Sequence, residues 1–175
     1  MNEQSITRQC ACSSVVLTTF GVLLIGVSAA NNLPKQLIWN ASASLPTGLY
    51  VIQIRSPQRG ELVVAKLPDW VRLVADQRGY LLGNVPALKR VAALAGDRVC
   101  RADRTILVNG KPVVWARKTD RYGRDLPVWS GCETLDEEQI FLLADHPKSF
   151  DGRYFGVTKL ANVLGVASPV WTGSE

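Results

Sequence analysis

Residues 98–115 read RVCRADRTILVNGKPVVW, and the turn inside them decides the fold class. Asn109-Gly110 separates two apolar segments, 105–108 and 111–115. Asn-Gly is the pair that a two-residue hairpin turn demands, because both of its central residues take positive φ. Working outward, apolar segments of strand length, broken by Gly, Pro and charge, recur at 48–54, 61–66, 88–94, 98–101, 105–108, 113–115, 139–144 and 162–170. One stretch, 70–79, reads as a helix, with Val71, Leu73 and Val74 as its apolar residues and Gly79 as its stop. The expected fold class is mainly β, with antiparallel strands.

The chain has 175 residues, of which 47% are apolar, enough for one domain with its own core. No internal repeat or low-complexity linker divides it. The net charge of +5 raises the question of nucleic acid, but the Lys and Arg residues are scattered and form no run or basic helix face. Phosphate tracking needs clustered positive charge, so nucleic acid is not expected as a partner. Residues 116–138 are dense in charge and turn residues, as expected of an excursion from the sheet: a cap facing a substrate, or a solvated loop.

Residues 13–30, SSVVLTTFGVLLIGVSAA, carry no charge. At about 1.5 Å per residue such a run spans the apolar core of a bilayer as a helix. A retained single-pass anchor is the favoured reading, with residues 1–12 in the cytoplasm and Lys35, Leu37 and Trp39 at the membrane interface. A cleaved leader is the alternative, since Ser28-Ala29-Ala30 sets small residues where a leader is cut. Of four cysteines, Cys10 and Cys12 precede the apolar run. Cys100 and Cys132 follow it, where they can form one disulfide in an oxidising compartment or stay as free thiols. Their unlike spacings do not read as a zinc site, and no metal or cofactor is expected.

Three segments carry chemistry. In 40–50, NASASLPTGLY, small hydroxyl residues lead into a Pro and Gly turn that can present Ser44 beside free amide hydrogens. In 87–97, ALKRVAALAGD, Lys89 stands inside an apolar strand. Buried there, its pKa of about 10.4 can fall by roughly 3 to 5 pH units, leaving an amine able to take a serine proton. In 145–156, DHPKSFDGRYFG, Asp151 and Arg153 can pair while the Ser149 hydroxyl orients a nearby amine. A Ser/His/Asp triad would have to use His146, the sole histidine, and its Asp-His-Pro setting reads as a turn.

In this order the three segments resemble the boxes of the type I signal peptidase superfamily, peptidase S26, and most closely its conjugal-transfer branch, the TraF-type peptidases. Asn40-x-Ser42-x-Ser44-x-Pro46-x-Gly48-x-Tyr50 resembles the nucleophile box. Lys89-Arg90-Val91 with Gly96-Asp97 resembles the lysine box, and Ser149-Phe150-Asp151-x-Arg153-Tyr154-Phe155-Gly156 the last box. The resemblance covers 39–171. It implies an antiparallel β catalytic core behind one transmembrane helix, and a serine endopeptidase without cofactor. Ser44 would be the nucleophile, Lys89 the general base and Asp151 part of the catalytic set. The Ser42 hydroxyl would join the Ser44 N–H in holding the oxyanion. Ser149 would orient Lys89, and Arg153 would pair with Asp151, joined by Arg90. The implied partners are a polypeptide, such as a pilin precursor or another exported preprotein, and the lipid bilayer. The implied place is the bacterial inner membrane with the catalytic domain on the periplasmic side. A general signal peptidase and a non-catalytic tethered assembly module are the alternatives. Two positions depart from the pattern: Gly152 stands where a serine is frequent, and Ala95 where a proline is frequent.

Overall fold

The computed structural model describes residues 18–22 and 37–173. The chain forms two compact units, Met1–Lys35 and Gln36–Glu175. In the first, residues 18–22 are helical; the rest of the expected anchor at 13–30, and the arm at 1–12, lie outside the described residues. Among the described residues no helix is long and apolar enough to cross a membrane.

The second unit is built from antiparallel strands. The larger sheet orders seven of them as β1-β2-β11-β3-β4-β9-β10. These are β1 (Leu37–Asn40), β2 (Gly48–Gln53), β3 (Leu62–Ala65), β4 (Ala87–Ala93), β9 (Gln139–Leu143), β10 (Thr158–Lys159) and β11 (Val163–Thr172). The smaller sheet orders β7 (Lys111–Trp115), β6 (Thr105–Val108), β5 (Arg98–Ala102) and β8 (Gly131–Thr134) as β7-β6-β5-β8. Helix α1 (Asp69–Gln77) crosses between β3 and β4, and a single-turn helix α2 (Gly152–Phe155) follows β9.

Side chains alternate across a strand, and the apolar positions fill both faces of the larger sheet. Val63, Ala65, Val91, Ile140, Leu142 and Val166 form one buried cluster. Val64, Leu88, Ala167, Tyr50 and Leu45 form another. A third, with Ala93 and Phe141 from the larger sheet and Val99, Ile106 and Val108 from the smaller, joins the two sheets. The β6–β7 hairpin turns at Asn109 and Gly110, with φ of 52° and 77°, the conformation that the Asn-Gly pair led us to expect. Asp97 braces this corner, accepting from the Leu94 N–H at 2.8 Å and the Asn109 amide at 2.7 Å.

Three elements, β1, β8 and α2, have no counterpart among the expected strands and helix. Leu37 and Trp39 belong to strand β1, paired with β2 through Trp39↔Leu49 and Asn40↔Gly48, and Trp39 stacks on Trp171 at 5.8 Å. The excursion at 116–138 is not a loop throughout. Its last part contains β8, whose residues pair with β5 from Arg98↔Thr134 to Arg101↔Gly131. β8 is exposed along its length, so it has no apolar alternation to read; cross-strand hydrogen bonding, not burial, makes it a strand. Helix α2 begins where Asp151 caps the Arg153 N–H, a local bond that apolar periodicity does not report.

Candidate active site

The segment expected to carry the nucleophile is the loop 41–47 between the paired ends of β1 and β2. Ser44 is half-buried and lies in its turn. Pro46 and Gly48 close the loop. Gly48 takes a φ of 152°, and a Cβ there would stand 2.1 Å from the Trp171 carbonyl oxygen, so only glycine lets β11 approach.

Lys89 comes from β4, opposite Val63 of β3. It is only 5% exposed. Its Nζ donates to Ser149 Oγ at 3.1 Å, and Ser149 is buried with it. Burial is the strongest influence on this amine and lowers its pKa; the Asp151 carboxylate raises it and the Arg153 guanidinium lowers it, to about 8 in all. The fall is smaller than the roughly 3 to 5 pH units that burial alone can produce, because the nearby carboxylate opposes it.

Asp151 and Arg153 are both fully buried, at 0% exposed. Arg153 Nε donates to Asp151 Oδ1 at 2.7 Å and Nη2 to Oδ2 at 2.9 Å, a two-bond pairing. The same guanidinium reaches the Ala144 and Pro147 carbonyls, while Asp151 Oδ2 accepts from the Ala144 N–H. A buried ion pair is tolerable only when its remaining donors and acceptors are satisfied, and here those bonds close the loop 144–153 on itself. The Arg153 carbonyl in turn accepts from the buried Arg101 at 2.7 Å, tying the loop to the smaller sheet.

Arg90 does not join this pair. Adjacent strand residues point to opposite faces, so Arg90 turns away from Lys89. It donates to both oxygens of Asp145, at 2.9 and 2.6 Å, and to the Gly60 carbonyl. The Ser42 hydroxyl donates to Asn40 Oδ1 at 3.0 Å.

The structure brings the three segments to one cavity of about 750 Å³, whose walls include Ser42, Ser44, Lys89, His146 and Ser149. The His146 N–H reaches the Ser44 carbonyl at 3.4 Å, joining the first segment to the last. The 116–138 segment also contributes wall, through Arg117, Thr119, Asp120, Arg121 and Leu126. Asp120 fixes it there, accepting from the Tyr80 hydroxyl and from Arg124 Nε, both at 2.6 Å. Asp120 and Arg124 share one turn, but Tyr80 lies 40 residues before Asp120 in the chain, so the complete clamp has no local sequence signal. Cys100 and Cys132 face each other across β5 and β8 and are joined in a disulfide. Among the described residues no group of acidic, His and Cys side chains could hold a metal ion.

A half-buried serine and a buried amine of lowered pKa thus line one cavity. The family described as "Signal peptidase, peptidase S26" matches residues 9–172. A plasmid transfer protein TraF of Escherichia coli is 35% identical over 150 residues, covering 83% of this chain and 82% of that protein. A conjugal transfer protein TraF of Agrobacterium fabrum is 32% identical over 184 residues, 98% of each. Among solved structures, a signal peptidase I of Enterococcus faecalis V583 is 26% identical, with a TM-score of 0.41, covering 66% of this chain and all of that one. A family match that runs through all three segments, with relatives alike over most of their length, makes this chain a member of the signal peptidase family, peptidase S26.

Proposed function

We propose that the protein is a membrane-anchored serine endopeptidase that processes an exported polypeptide, the pilin precursor of a conjugative transfer system. The observation that carries the chemistry is the Lys89 amine: buried, held at 3.1 Å by Ser149 Oγ, with its pKa lowered to about 8 beside the cavity that Ser44 lines. At neutral pH about a tenth of such an amine is already free base. Ser44 Oγ attacks the scissile carbonyl as Lys89 takes its proton. The resulting oxyanion is met by the Ser44 backbone N–H, which has no acceptor among the described residues; the Ser42 hydroxyl can add a second bond by turning away from Asn40. Collapse of the tetrahedral intermediate expels the amine, which leaves with the proton from Lys89. Water then resolves the ester, giving hydrolysis. Attack by the substrate's own amino terminus gives a ring.

Asp151, fully buried with both oxygens engaged, acts without touching substrate: it fixes the loop that carries Ser149 and supplies the field that keeps the Lys89 pKa from falling further. Arg153 balances its charge. The segment 116–138 serves as a cap through the residues it adds to the cavity wall. The substrate assignment is supported by the relatives' names, which speak of plasmid and conjugal transfer. The anchor at 13–30 would hold the domain on the periplasmic face of the inner membrane, where the Cys100–Cys132 disulfide is stable.

The test is processing of the pilin precursor in membranes that carry the full chain. Wild type shortens the precursor, whereas Ser44→Ala and Lys89→Ala each leave it intact. Processing that survives either substitution would sink the proposal. The mass of the product, short by one water if circular, separates cyclisation from hydrolysis.

A further inference from the structure

Asn40 is the one buried polar side chain in the nucleophile loop that the mechanism above leaves without a task. It ends β1, is 7% exposed, and stands opposite Gly48, so its side chain enters the loop 41–47 at the point where the two strands close it. Its Nδ2 donates to the carbonyls of Ser42 at 3.1 Å, Leu45 at 3.1 Å and Pro46 at 3.0 Å. Its Oδ1 accepts the Ser42 N–H at 3.1 Å and the Ser42 hydroxyl at 3.0 Å. With carbonyls on one end of the amide and donors on the other, the orientation of the group is fixed by its partners. Every one of these bonds goes to the loop, and the partners flank Ser44 on both sides.

Two further carbonyls of the loop are engaged by backbone donors. Ser44 O accepts from the His146 N–H and Thr47 O from the Gly173 N–H, while Pro46 O also takes the Tyr50 hydroxyl at 2.7 Å. The Ser44 N–H has no acceptor among the described residues. Five of the seven carbonyls in the loop 41–47, those of Ser42, Ser44, Leu45, Pro46 and Thr47, therefore have donors, while the Ser44 N–H stays free to meet a developing oxyanion.

We infer that Asn40 is a positioning residue for the reaction: its amide fixes the turn so that the Ser44 hydroxyl and N–H hold the attack geometry, and it keeps the Ser42 hydroxyl beside the nucleophile. This rests on the serine peptidase reading. All of the Asn40 side-chain bonds go to the loop and none to Lys89, so losing the amide without adding a charge lowers turnover and leaves the titration of the base in place. Asn40→Ala removes all of the loop bonds. Asn40→Asp keeps the size and the acceptor for Ser42 but turns a carboxylate oxygen on the three carbonyls.

The full chain in detergent is assayed on an internally quenched peptide with alanine on both sides of the cleaved bond, with Ser44→Ala as control. Turnover is counted per folded molecule, from the amplitude of the tryptophan melting transition. The expected result for both variants is a kcat at least 30-fold lower with KM within threefold of wild type; in Asn40→Ala the rise of activity stays centred on the wild-type pH, whereas the added carboxylate of Asn40→Asp moves it upward. Binding of an alanine-terminated peptide aldehyde, which Ser44 converts to a tetrahedral adduct, falls by the same factor as kcat. Turnover per folded molecule within threefold of wild type in both variants would overturn the assignment of Asn40 and leave the peptidase reading standing. Equal loss of aldehyde and ground-state peptide affinity would overturn it too, by making Asn40 part of the binding surface. A wild-type chain that cleaves no better than Ser44→Ala overturns the peptidase reading and the inference together.

Discussion

Replacing Lys89 by methionine keeps most of the volume of the side chain and removes its charge, so the variant isolates what burying that charge costs the fold. At about 1.4 kcal/mol per pH unit, a fall in pKa from 10.5 to about 8 corresponds to about 3 kcal/mol. The sign follows from proton linkage. Below pH 8 both the folded and unfolded chains carry the proton, and the folded state bears the full burial penalty. Between pH 8 and 10.5 the folded chain gives up its proton first, so the wild type gains stability as pH rises and the penalty fades. Methionine has no such dependence. Against the gain stands the lost bond to Ser149 Oγ, which costs about 1 kcal/mol or somewhat more for leaving a buried hydroxyl unpaired. Lys89→Met should therefore be more stable than wild type by about 1 to 2 kcal/mol at pH 6.5, raising the melting temperature by roughly 3 to 8 °C. The advantage should shrink steadily from pH 8 to 10.5, and processing should be abolished throughout. Melting of the full chain followed by tryptophan fluorescence, at several pH values, measures this. A variant less stable than wild type at pH 6.5, or a difference that does not change with pH, would refute the idea that Lys89 is held partly deprotonated by burial.

Activity of the wild type should rise with pH and reach half its limit near pH 8, the pKa of the Lys89 amine, in kcat/KM profiles. Asp151→Asn should move that midpoint lower, since the Asp151 carboxylate raises the Lys89 pKa, and should destabilise the domain by about 3 to 5 kcal/mol by leaving Arg153 buried and unpaired; an unmoved midpoint would remove Asp151 from the electrostatics of the base. Gly152→Ser should cost roughly 1 to 3 kcal/mol in denaturant titrations, because a Cβ at Gly152 would stand 2.6 Å from the Leu142 carbonyl oxygen; a neutral result would show that the loop relaxes freely.

That clash also explains the departure seen in the last box. Serine, frequent at this position in the pattern that the chain resembles, does not fit where α2 packs on β9, so glycine here is a packing requirement. The Asn-Gly hairpin, the strand-length apolar runs and the lysine amid apolar neighbours were all legible in the chain because they rest on local rules: turn chemistry, period-two burial and the cost of burying charge. β8 was not legible, since its exposed residues are strand only by pairing with β5. The expected link from Arg90 to the Asp151–Arg153 pair fails for a similarly local reason, strand alternation, which turns it toward Asp145.

The sequence by itself determined the antiparallel β character, the family and the set of residues around Ser44 and Lys89, because motif order and side-chain chemistry are properties of the chain. Only the tertiary structure decided how those residues are used. It set Lys89 against Ser149 and near a buried Asp151, giving a pKa near 8 instead of a lower one. It turned the Ser42 hydroxyl to Asn40 and wrapped the nucleophile loop around the Asn40 amide. Hydrogen bonds and electrostatic fields depend on distances between segments far apart in the chain, and those distances exist only once the sheet has brought the segments together.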